Sequence, residues 1–429
     1  AAAVHLKWDT PASAGSQFVI ERAAPGDAFA EIARLPADQT AYTDAPAAPG
    51  TAYSYRLRTF DGASLSAPRG LADVTTGSFV PFEALGFSNR PDLSTAGAPR
   101  IYTSWDGSYF ANGDDTRPDE AKTRAVARDA AKHNQVLVID IEHWPSDIRV
   151  HSQEQVQQTI DKFLQIIAWI RDEAPGVKLG IWSVLPGNFS YRDYVTDGQA
   201  YLDKWQAAND ALRPLADKVD YIFPDLYASS SDPAEWATTS SHVIAEARRY
   251  GKPVIGYLSM YSYAGDQSEL LGEDAWRMQL LTARRQLDSV AMWGGWQVPW
   301  DASAGWWKAT DQFLSAQATT TPAAPVQLSA SATTDSIQLR WQSRSTNENG
   351  FVIERAFADG DFKPLICVGP GVTQYTDRHV SGGQYSYRVR AMAWHADSEP
   401  TNVVTASMTR DATATIQAES ADTAESFWI

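Results

Sequence analysis

The sequence is short of cysteine, histidine and basic residues. One cysteine, Cys367, excludes a disulfide bond within the chain. The seven histidines are scattered without the spacing of a metal site, so we expect neither a metal nor a cofactor. Lysine and arginine (36) are outnumbered by acidic residues (52), giving a net charge of −16. Because nucleic acids are bound through basic patches, they are not expected partners.

Long apolar runs are also missing, since no run approaches the ~20 residues that a membrane-spanning helix needs. We therefore expect no membrane insertion. Hydrophobic residues nevertheless make up 44% of the chain, and 16 tryptophans are among them, so a large core can be buried. At about 150 residues per domain, 429 residues predict two to four domains. We expect the protein to be a monomer.

The two ends of the chain are near-duplicates. Four segments of the N-terminal copy match four of the C-terminal copy in order: Leu6–Trp8 with Leu339–Trp341, Phe18–Ala23 with Phe351–Ala356, Tyr42–Asp44 with Tyr375–Asp377, and Tyr53–Arg58 with Tyr385–Arg390. Each copy alternates polar and apolar residues over short runs, which predicts antiparallel strands and a β-sandwich.

The early tryptophan, the central tyrosine and the Tyr-x-Tyr-Arg-x-Arg strand resemble fibronectin type III modules. The resemblance implies sandwiches at 1–79 and 319–411 that act mainly as spacers. Only seven residues precede Trp8, so we expect the first sandwich to lack its opening strand. Residues 412–429 are expected to be a linker or the start of a further carbohydrate-binding module.

Residues 80–318 alternate short β-rich runs with long amphipathic stretches, which is typical of βα units. Seven strands are predicted, at 84–87, 100–104, 135–140, 177–183, 220–227, 253–258 and 289–293. Helices are predicted at 120–133, 153–173, 199–216, 233–250 and 274–287. With no glycine-rich phosphate turn after the first strand, the pattern favours a central (β/α) TIM-type barrel, distorted to seven strands, over an open sheet. Barrels carry their chemistry at the carboxyl ends of the strands.

Two acids, Asp140 and Glu142, close the third predicted strand at positions i and i+2. Such positions share one face of a strand, and the apolar run at 136–139 indicates burial. Mutual repulsion and partial burial are expected to raise one pKa, so that one carboxyl acts as a general acid while the other stays charged. A structural role would need a basic partner, and none is evident nearby. We predict Glu142 and Asp140 as catalytic residues.

Aromatic residues accumulate beyond the predicted strand ends, and 12 of the 16 tryptophans lie between Trp105 and Trp307. Exposed rings stack on the apolar faces of sugars. This composition predicts a carbohydrate substrate. The predicted substrate-binding residues are Tyr102, Trp105, Trp144, Trp182, Asp225, Tyr227, Tyr257, Trp293 and Trp296.

The segment 140–144, which reads Asp-Ile-Glu-His-Trp, resembles the Asp-x-Glu-x-Trp strand end of the hyaluronidase-type glycoside hydrolases, whose fold is a distorted barrel. Segments resembling later parts of that family follow in the same order at 180–188, 223–227 and 292–296. The resemblance implies a hydrolase that cleaves a polysaccharide containing N-acetylhexosamine.

The resemblance also implies roles for individual residues. Glu142 would protonate the glycosidic oxygen and later deprotonate water. Asp140 would hold the substrate's 2-acetamido group, whose carbonyl attacks the anomeric carbon and gives retention without an enzyme nucleophile. Tyr227 would hydrogen-bond near this group, and Trp293 would pack against its methyl. The chain departs from the family at Trp182, where the family has a tyrosine.

Two other interpretations stay open. In one, Asp225 is a direct nucleophile opposite Glu142, as in ordinary retaining glycosidases, on another glycan. In the other, the protein is a non-catalytic carbohydrate-binding or adhesion protein. The identity of the polymer and endo or exo action are open as well. A neutral or cationic hexosamine glycan fits the acidic chain at least as well as a polyanion, since the nearest bases, Arg149 and Arg192, are few. We expect a secreted bacterial protein.

Overall fold

A computed structural model describes residues 4–408, apart from 9–14, 24–27, 45–51, 76–78, 112–113, 133–135, 231, 265–267, 297, 317–320, 334–335, 359, 379, 381 and 395. The segment 412–429, for which a linker or a further module is predicted, lies outside the described residues. The structure mixes helices with several small sheets. In the described part of the chain, no helix is both long and apolar enough to cross a bilayer.

The N-terminal part of the chain folds into β1 (Val4–Lys7), β2 (Gln17–Ala23), β3 (Ala30–Pro36), β4 (Ala41–Asp44), β5 (Ala52–Phe60) and β6 (Arg69–Thr75). Strands β3, β2, β5 and β6 form one antiparallel sheet in that order, and β1 pairs with β4 in another. Apolar side chains from both sheets, including Ile20 and Tyr55, form a core of their own. The Trp8 ring packs edge-on against Phe18 at 5.2 Å.

Asp44 connects the two N-terminal sheets through a buried ion pair. Its fully buried carboxylate accepts hydrogen bonds from Arg22 at 2.8 Å and from the Tyr55 hydroxyl at 2.7 Å. We expect Asp44→Asn to destabilise this part by ~2–4 kcal/mol, because Arg22 then loses its counter-charge in a low-dielectric setting. Calorimetry should show one unfolding transition whose midpoint temperature is lowered by about 10 °C. Asp38→Asn, at an exposed turn, is the control; equal effects of both variants would contradict the expectation.

The central part alternates helices and strands: β7 (Phe82–Leu85), β8 (Tyr102–Trp105), α1 (Glu120–Lys132), β9 (Leu137–Asp140), α2 (Gln153–Glu173), β10 (Leu179–Ile181), α3 (Tyr191–Asp197), α4 (Gln199–Ala211), α5 (Arg213–Ala216), α6 (Pro233–Arg249), β11 (Ile255–Ser259), β12 (Tyr261–Ser262), β13 (Glu269–Leu270), α7 (Glu273–Gln286), β14 (Ser289–Gly294) and α8 (Gly305–Ser315). Short 3₁₀ helices lie at Leu93–Ala96 and Asp106–Ser108.

Two parallel three-stranded sheets, β10-β9-β8 and β11-β14-β7, make up most of the central strands. Isolated parallel bridges pair Glu83 with Arg100 at one side and Trp182 with Phe223 at the other. The strand predicted at 220–227 is present only as isolated bridges of this kind. Its Pro224 has no N–H to donate to a ladder, which is the physical reason that pairing is interrupted there.

Strand alternation separates two sets of buried side chains in the central part. One set, which includes Ile101, Val138, Phe223 and Ala291, forms a small cluster among the strands. The other set, which includes Ile139 next to Val138 in the sequence, packs outward against the helices. A residue two positions beyond a member of the inner cluster therefore continues on the same face at the carboxyl end of its strand.

The C-terminal part folds into β15 (Val326–Ala332), β16 (Ser336–Gln342), β17 (Gly350–Phe357), β18 (Lys363–Val368), β19 (Gln374–Arg378), β20 (Gly383–Met392) and β21 (Val404–Met408). The sheet β18-β17-β20-β21 has the same order as the four-stranded N-terminal sheet. Strand β15 adds to β16 and β19 and has no counterpart among the described N-terminal residues. Trp341 packs on Phe351 at 5.8 Å, and Asp377 joins Arg355 to Tyr387, as in the first copy.

Candidate active site

Four acidic residues at the ends of parallel segments form what we call the carboxyl cluster. Asp140 is the last residue of β9, and Glu142 follows two residues later. Asp106 comes directly after β8, and Asp225 lies on the bridged segment beside β11. Asp140 continues the inward face of Val138, which belongs to the small cluster among the strands. The Asp140 side chain therefore lies on the inward face, at the C-terminal end of the parallel strands.

The members of the carboxyl cluster influence one another's ionisation. Burial raises the pKa of Asp140 to about 7, and the charges of Glu142 and Asp106 add to the shift. Burial and Asp106 also raise the pKa of Glu142. Burial raises the pKa of Asp225 to about 6, against the 2.8 Å hydrogen bond that its Oδ1 accepts from the Tyr227 N–H. The cluster therefore retains a proton near neutral pH, as a general acid requires.

Three of the four acids in the carboxyl cluster have no ion-pair partner in the described part of the chain; the fourth, Asp106, lies beside His143. No arginine, lysine or histidine in the described part of the chain forms an ion pair with Asp140, Glu142 or Asp225. Buried Glu83 provides the contrast, because Arg90 at 2.9 Å and Arg100 at 3.4 Å neutralise it. Leaving a buried carboxylate without a cation costs free energy. The fold thus compensates a structural acid and leaves the half-buried Asp140 and Asp225 without a cation, which favours a chemical role for these two.

Aromatic rings line the same strand ends. Tyr227 stacks on Trp293, with ring centroids 5.6 Å apart, and on Tyr263 at 5.5 Å. The Trp182 ring lies 5.8 Å from the Tyr227 ring in a tilted arrangement. The indole Nε1 of Trp182 is buried and has no hydrogen-bond partner in the described structure. A donor left in this state is suited to an acceptor on a ligand, since an unpaired buried polar group is costly.

Trp105 and Trp296 form an exposed pair, with ring centroids 5.3 Å apart and an edge-to-face geometry. Their exposed fractions are 43% and 59%, which is high for tryptophan. The Trp105 side chain also opposes the rise in the pKa of Asp140, so the pair borders the carboxyl cluster. Large exposed aromatic faces beside a polar cluster can stack on sugar rings.

Three residues predicted as substrate contacts have side chains that are largely buried or already engaged in contacts within the protein. Tyr102 packs on the helix side, where it hydrogen-bonds to Asp129 of α1, because consecutive strand residues point to opposite faces. Trp144 is only 5% exposed, and its Nε1 donates to the Asp115 carbonyl at 2.9 Å. Tyr257 is 1% exposed.

Tyr257 illustrates how the floor of the site is built. Its hydroxyl shares a 2.8 Å hydrogen bond with Thr103 Oγ1, and its ring packs against Trp182 at 6.3 Å. Because both polar and apolar parts of the side chain are already engaged, Tyr257 holds Trp182 in place.

Sequence reasoning missed two members of the site. Asp106 directly follows the exposed Trp105, so the acid just past the strand end was a usable signal. Its side chain lies 3.3 Å from His143 Nδ1. Tyr263, which extends the stack on Tyr227, directly follows β12, which pairs with β13 after β11. The alternation of apolar residues in the sequence does not predict this short pair of strands. Among the described residues, no group of three or more histidine, cysteine, aspartate or glutamate side chains could hold a metal ion.

No protein-family model matches the chain, and no curated protein matches it. Among solved structures, bee venom hyaluronidase is similar at 14% identity and a TM-score of 0.38, covering 51% of this chain and 91% of that one. A β-1,2-glucanase from Parabacteroides distasonis is similar at 25% identity and a TM-score of 0.20; the match covers 22% of this chain and 14% of the glucanase's length. A Fn3-like protein from Clostridium thermocellum is similar at 22% identity and a TM-score of 0.19, over 21% and 97%.

Proposed function

We propose that the protein is a glycoside hydrolase that cleaves a polysaccharide containing N-acetylhexosamine, with retention and by substrate assistance. One observation carries the proposal: the acids Asp140, Glu142 and Asp225 lie at the C-terminal ends of parallel segments, none of them forms an ion pair among the described residues, and all three have raised pKa values. The stacked rings of Trp182, Tyr227 and Trp293 beside them support a sugar as the ligand.

In the proposed reaction Glu142, the more exposed acid of the pair, protonates the glycosidic oxygen. The acetamido N–H donates to Asp140, which favours the ionised form of that carboxyl and leaves the proton on Glu142. The acetamido carbonyl oxygen then forms a bond to the anomeric carbon as the bond to the leaving oxygen breaks. Glu142, now ionised, deprotonates the water that opens the cyclic intermediate and regains its proton.

The wider architecture of this proposal follows the sequence predictions. We propose a distorted, seven-stranded (β/α) barrel over residues 80–318, in which the parallel bridges complete the ring begun by the two parallel sheets. Fibronectin type III-like sandwiches would occupy 1–79 and 319–411. We further propose that the protein is secreted by a bacterium and acts as a monomer on a polysaccharide.

A second mechanism makes Asp225 the nucleophile, and the charge of Glu142 does act on Asp225. Under substrate assistance, Asp225→Asn should lower kcat by less than about tenfold, since that carboxyl forms no bond to the sugar. The measurement is the initial rate of reducing-end release from N-acetylated oligosaccharides and from the same oligosaccharides after deacetylation. Loss of several orders of magnitude, with equal rates on both substrates, would instead establish Asp225 as the nucleophile.

A broad substrate test precedes these kinetics. Glycosaminoglycans, chitin oligomers and bacterial exopolysaccharides are incubated with the protein, and new reducing ends are counted. We expect at least one N-acetylhexosamine polymer to be cleaved. A protein that retains glycans but releases no reducing ends from any of them is a binding protein, and the proposed function is then wrong.

A further inference from the structure

A cavity of about 890 Å³ lies outside the carboxyl cluster, between the central helices and the C-terminal strands. Its walls come from α3, from the first turns of α6 and α7, and from the strands β16, β18 and β19. This volume falls in the range of small-molecule and oligosaccharide pockets, ~300–1,000 Å³.

The cavity has fixed walls, because the C-terminal strands share a core with the central helices. Cys367 and Trp394 belong to the same buried cluster as the side chains of α7. Arg284 of α7 donates to the Trp394 carbonyl at 3.2 Å, and Arg285 forms an ion pair with Asp397. The Trp394 ring also packs on Phe313 of α8 at 5.3 Å. A gap between parts joined in this way is pre-formed, which reduces the entropic cost of binding.

One wall of the cavity is a polar sheet surface. On β16, Gln338 and Arg340 are exposed, and their partners across the ladder on β19 are Thr376 and Gln374. Arg378, at the end of β19, is exposed as well. Together these side chains offer both donors and acceptors, which is the combination that sugar hydroxyl groups require.

The opposite wall adds aromatic rings and compensating charge. Tyr191 and Tyr194 of α3 line the cavity, and burial raises the pKa of Tyr191. Asp232, which caps α6 by accepting from the Ala234 N–H at 2.9 Å, and Asp274 line it too. These two acids offset Arg340 and Arg378 on the facing sheet. A cavity with balanced charge favours an uncharged chain over a polyanion, which would meet the acids.

The cavity and the carboxyl cluster are close along the chain. Tyr227 of the aromatic stack is five residues from Asp232, so their Cα atoms are at most ~18 Å apart. The loops that end in α3 and α6 both follow parallel segments that contribute to the candidate site. The same two loops therefore contribute residues to both the candidate site and the cavity.

We propose that this cavity is a second glycan-binding site, which holds an uncharged N-acetylhexosamine segment of the polymer whose cleavage is proposed above. The inference deepens the proposed function, and its test is independent of catalysis. The C-terminal strands then form part of the binding surface and are more than a spacer.

The test is affinity electrophoresis in the Glu142→Gln background, in gels that contain glycol chitin, an uncharged N-acetylhexosamine polymer, or hyaluronan, an anionic one. Tyr191→Ala and Arg340→Ala should each weaken retardation by glycol chitin by about threefold to tenfold, as expected for loss of one aromatic or polar contact. Arg344→Ala, an exposed arginine outside the cavity, is the matched control and should have no effect. Circular dichroism verifies that each variant is folded.

Other outcomes separate the two proposals. If glycol chitin does not retard the protein, or retards the cavity variants and the control variant equally, the second site is overturned. Hydrolysis by the wild type would still support the proposed function in that case. Sensitivity of the cavity variants in hyaluronan gels but not in glycol chitin gels overturns the assignment of an uncharged ligand. A wild type that hydrolyses nothing, yet whose binding depends on Tyr191 and Arg340, keeps the second site and rejects the hydrolase.

Discussion

Replacing Glu142 with glutamine is expected to lower the rate of glycan hydrolysis by ~10²–10⁴-fold, because the amide cannot donate a proton to the leaving oxygen. The glutamine is nearly isosteric, and Glu142 is partly exposed, so the fold should be unaffected. The measurement is kcat for reducing-end release from the best substrate of the panel, with the melting temperature recorded in parallel.

The matched control for this variant is Glu154→Gln, which changes an exposed glutamate in the first turn of α2. This substitution should leave kcat within about twofold of the wild type, since surface changes away from a site have small effects. If Glu142→Gln retained near-normal activity, Glu142 would not be the proton donor, and the assignment of the reaction to the carboxyl cluster would fail.

Asp140→Asn is expected to make the protein more stable and less active. Activity should fall by about 10²-fold or more, because the amide cannot accept charge-assisted hydrogen bonding from the acetamido N–H in the transition state. Stability should rise because Asn relieves both the burial of a charge and its repulsion by Glu142 and Asp106. A stabilising substitution that removes activity is typical of a functional residue.

The stability gain of Asp140→Asn depends on pH with a definite sign. Asp140 has a folded-state pKa of about 7, above its ordinary value of 3.8, so the folded state binds the proton more tightly. Wild-type stability is therefore lost as pH rises from about 4 to 7. The advantage of the variant should grow across that window, by about 2–5 °C in Tm after allowance for solvent screening. Asp161→Asn, an exposed acid on α2, should show no such trend. If the Tm difference between Asp140→Asn and the wild type were the same at every pH, the raised pKa of Asp140 would be contradicted.

Much of the site was accessible from the sequence, for reasons visible in single elements. The bounds of α2 agree with the predicted 153–173, since Ser152 and Gln155 form a capping box at its start. The i, i+2 spacing of Asp140 and Glu142 correctly placed both acids where their charges interact. Tyr102 stays a predicted substrate contact, although its ring packs on the helix side, one residue before Thr103, whose hydroxyl meets Tyr257 among the strands.

Other features could not be read from the sequence because they depend on packing between distant segments. The helix predicted at 199–216 divides into α4 and α5 at Leu212, where Pro214 begins a new turn. The short helix α3 has no buried residue, so it carries no apolar period to detect. The cavity depends on how the C-terminal strands dock on α6 and α7, which local patterns do not encode.

The most direct measurement of the central claim is the anomeric configuration of the first product released from an N-acetylhexosamine polymer, followed by proton NMR during the first turnovers. The account predicts the same configuration as in the substrate, together with loss of cleavage when the polymer is deacetylated. Inversion at the anomeric carbon, or equal cleavage of the deacetylated polymer, would contradict it.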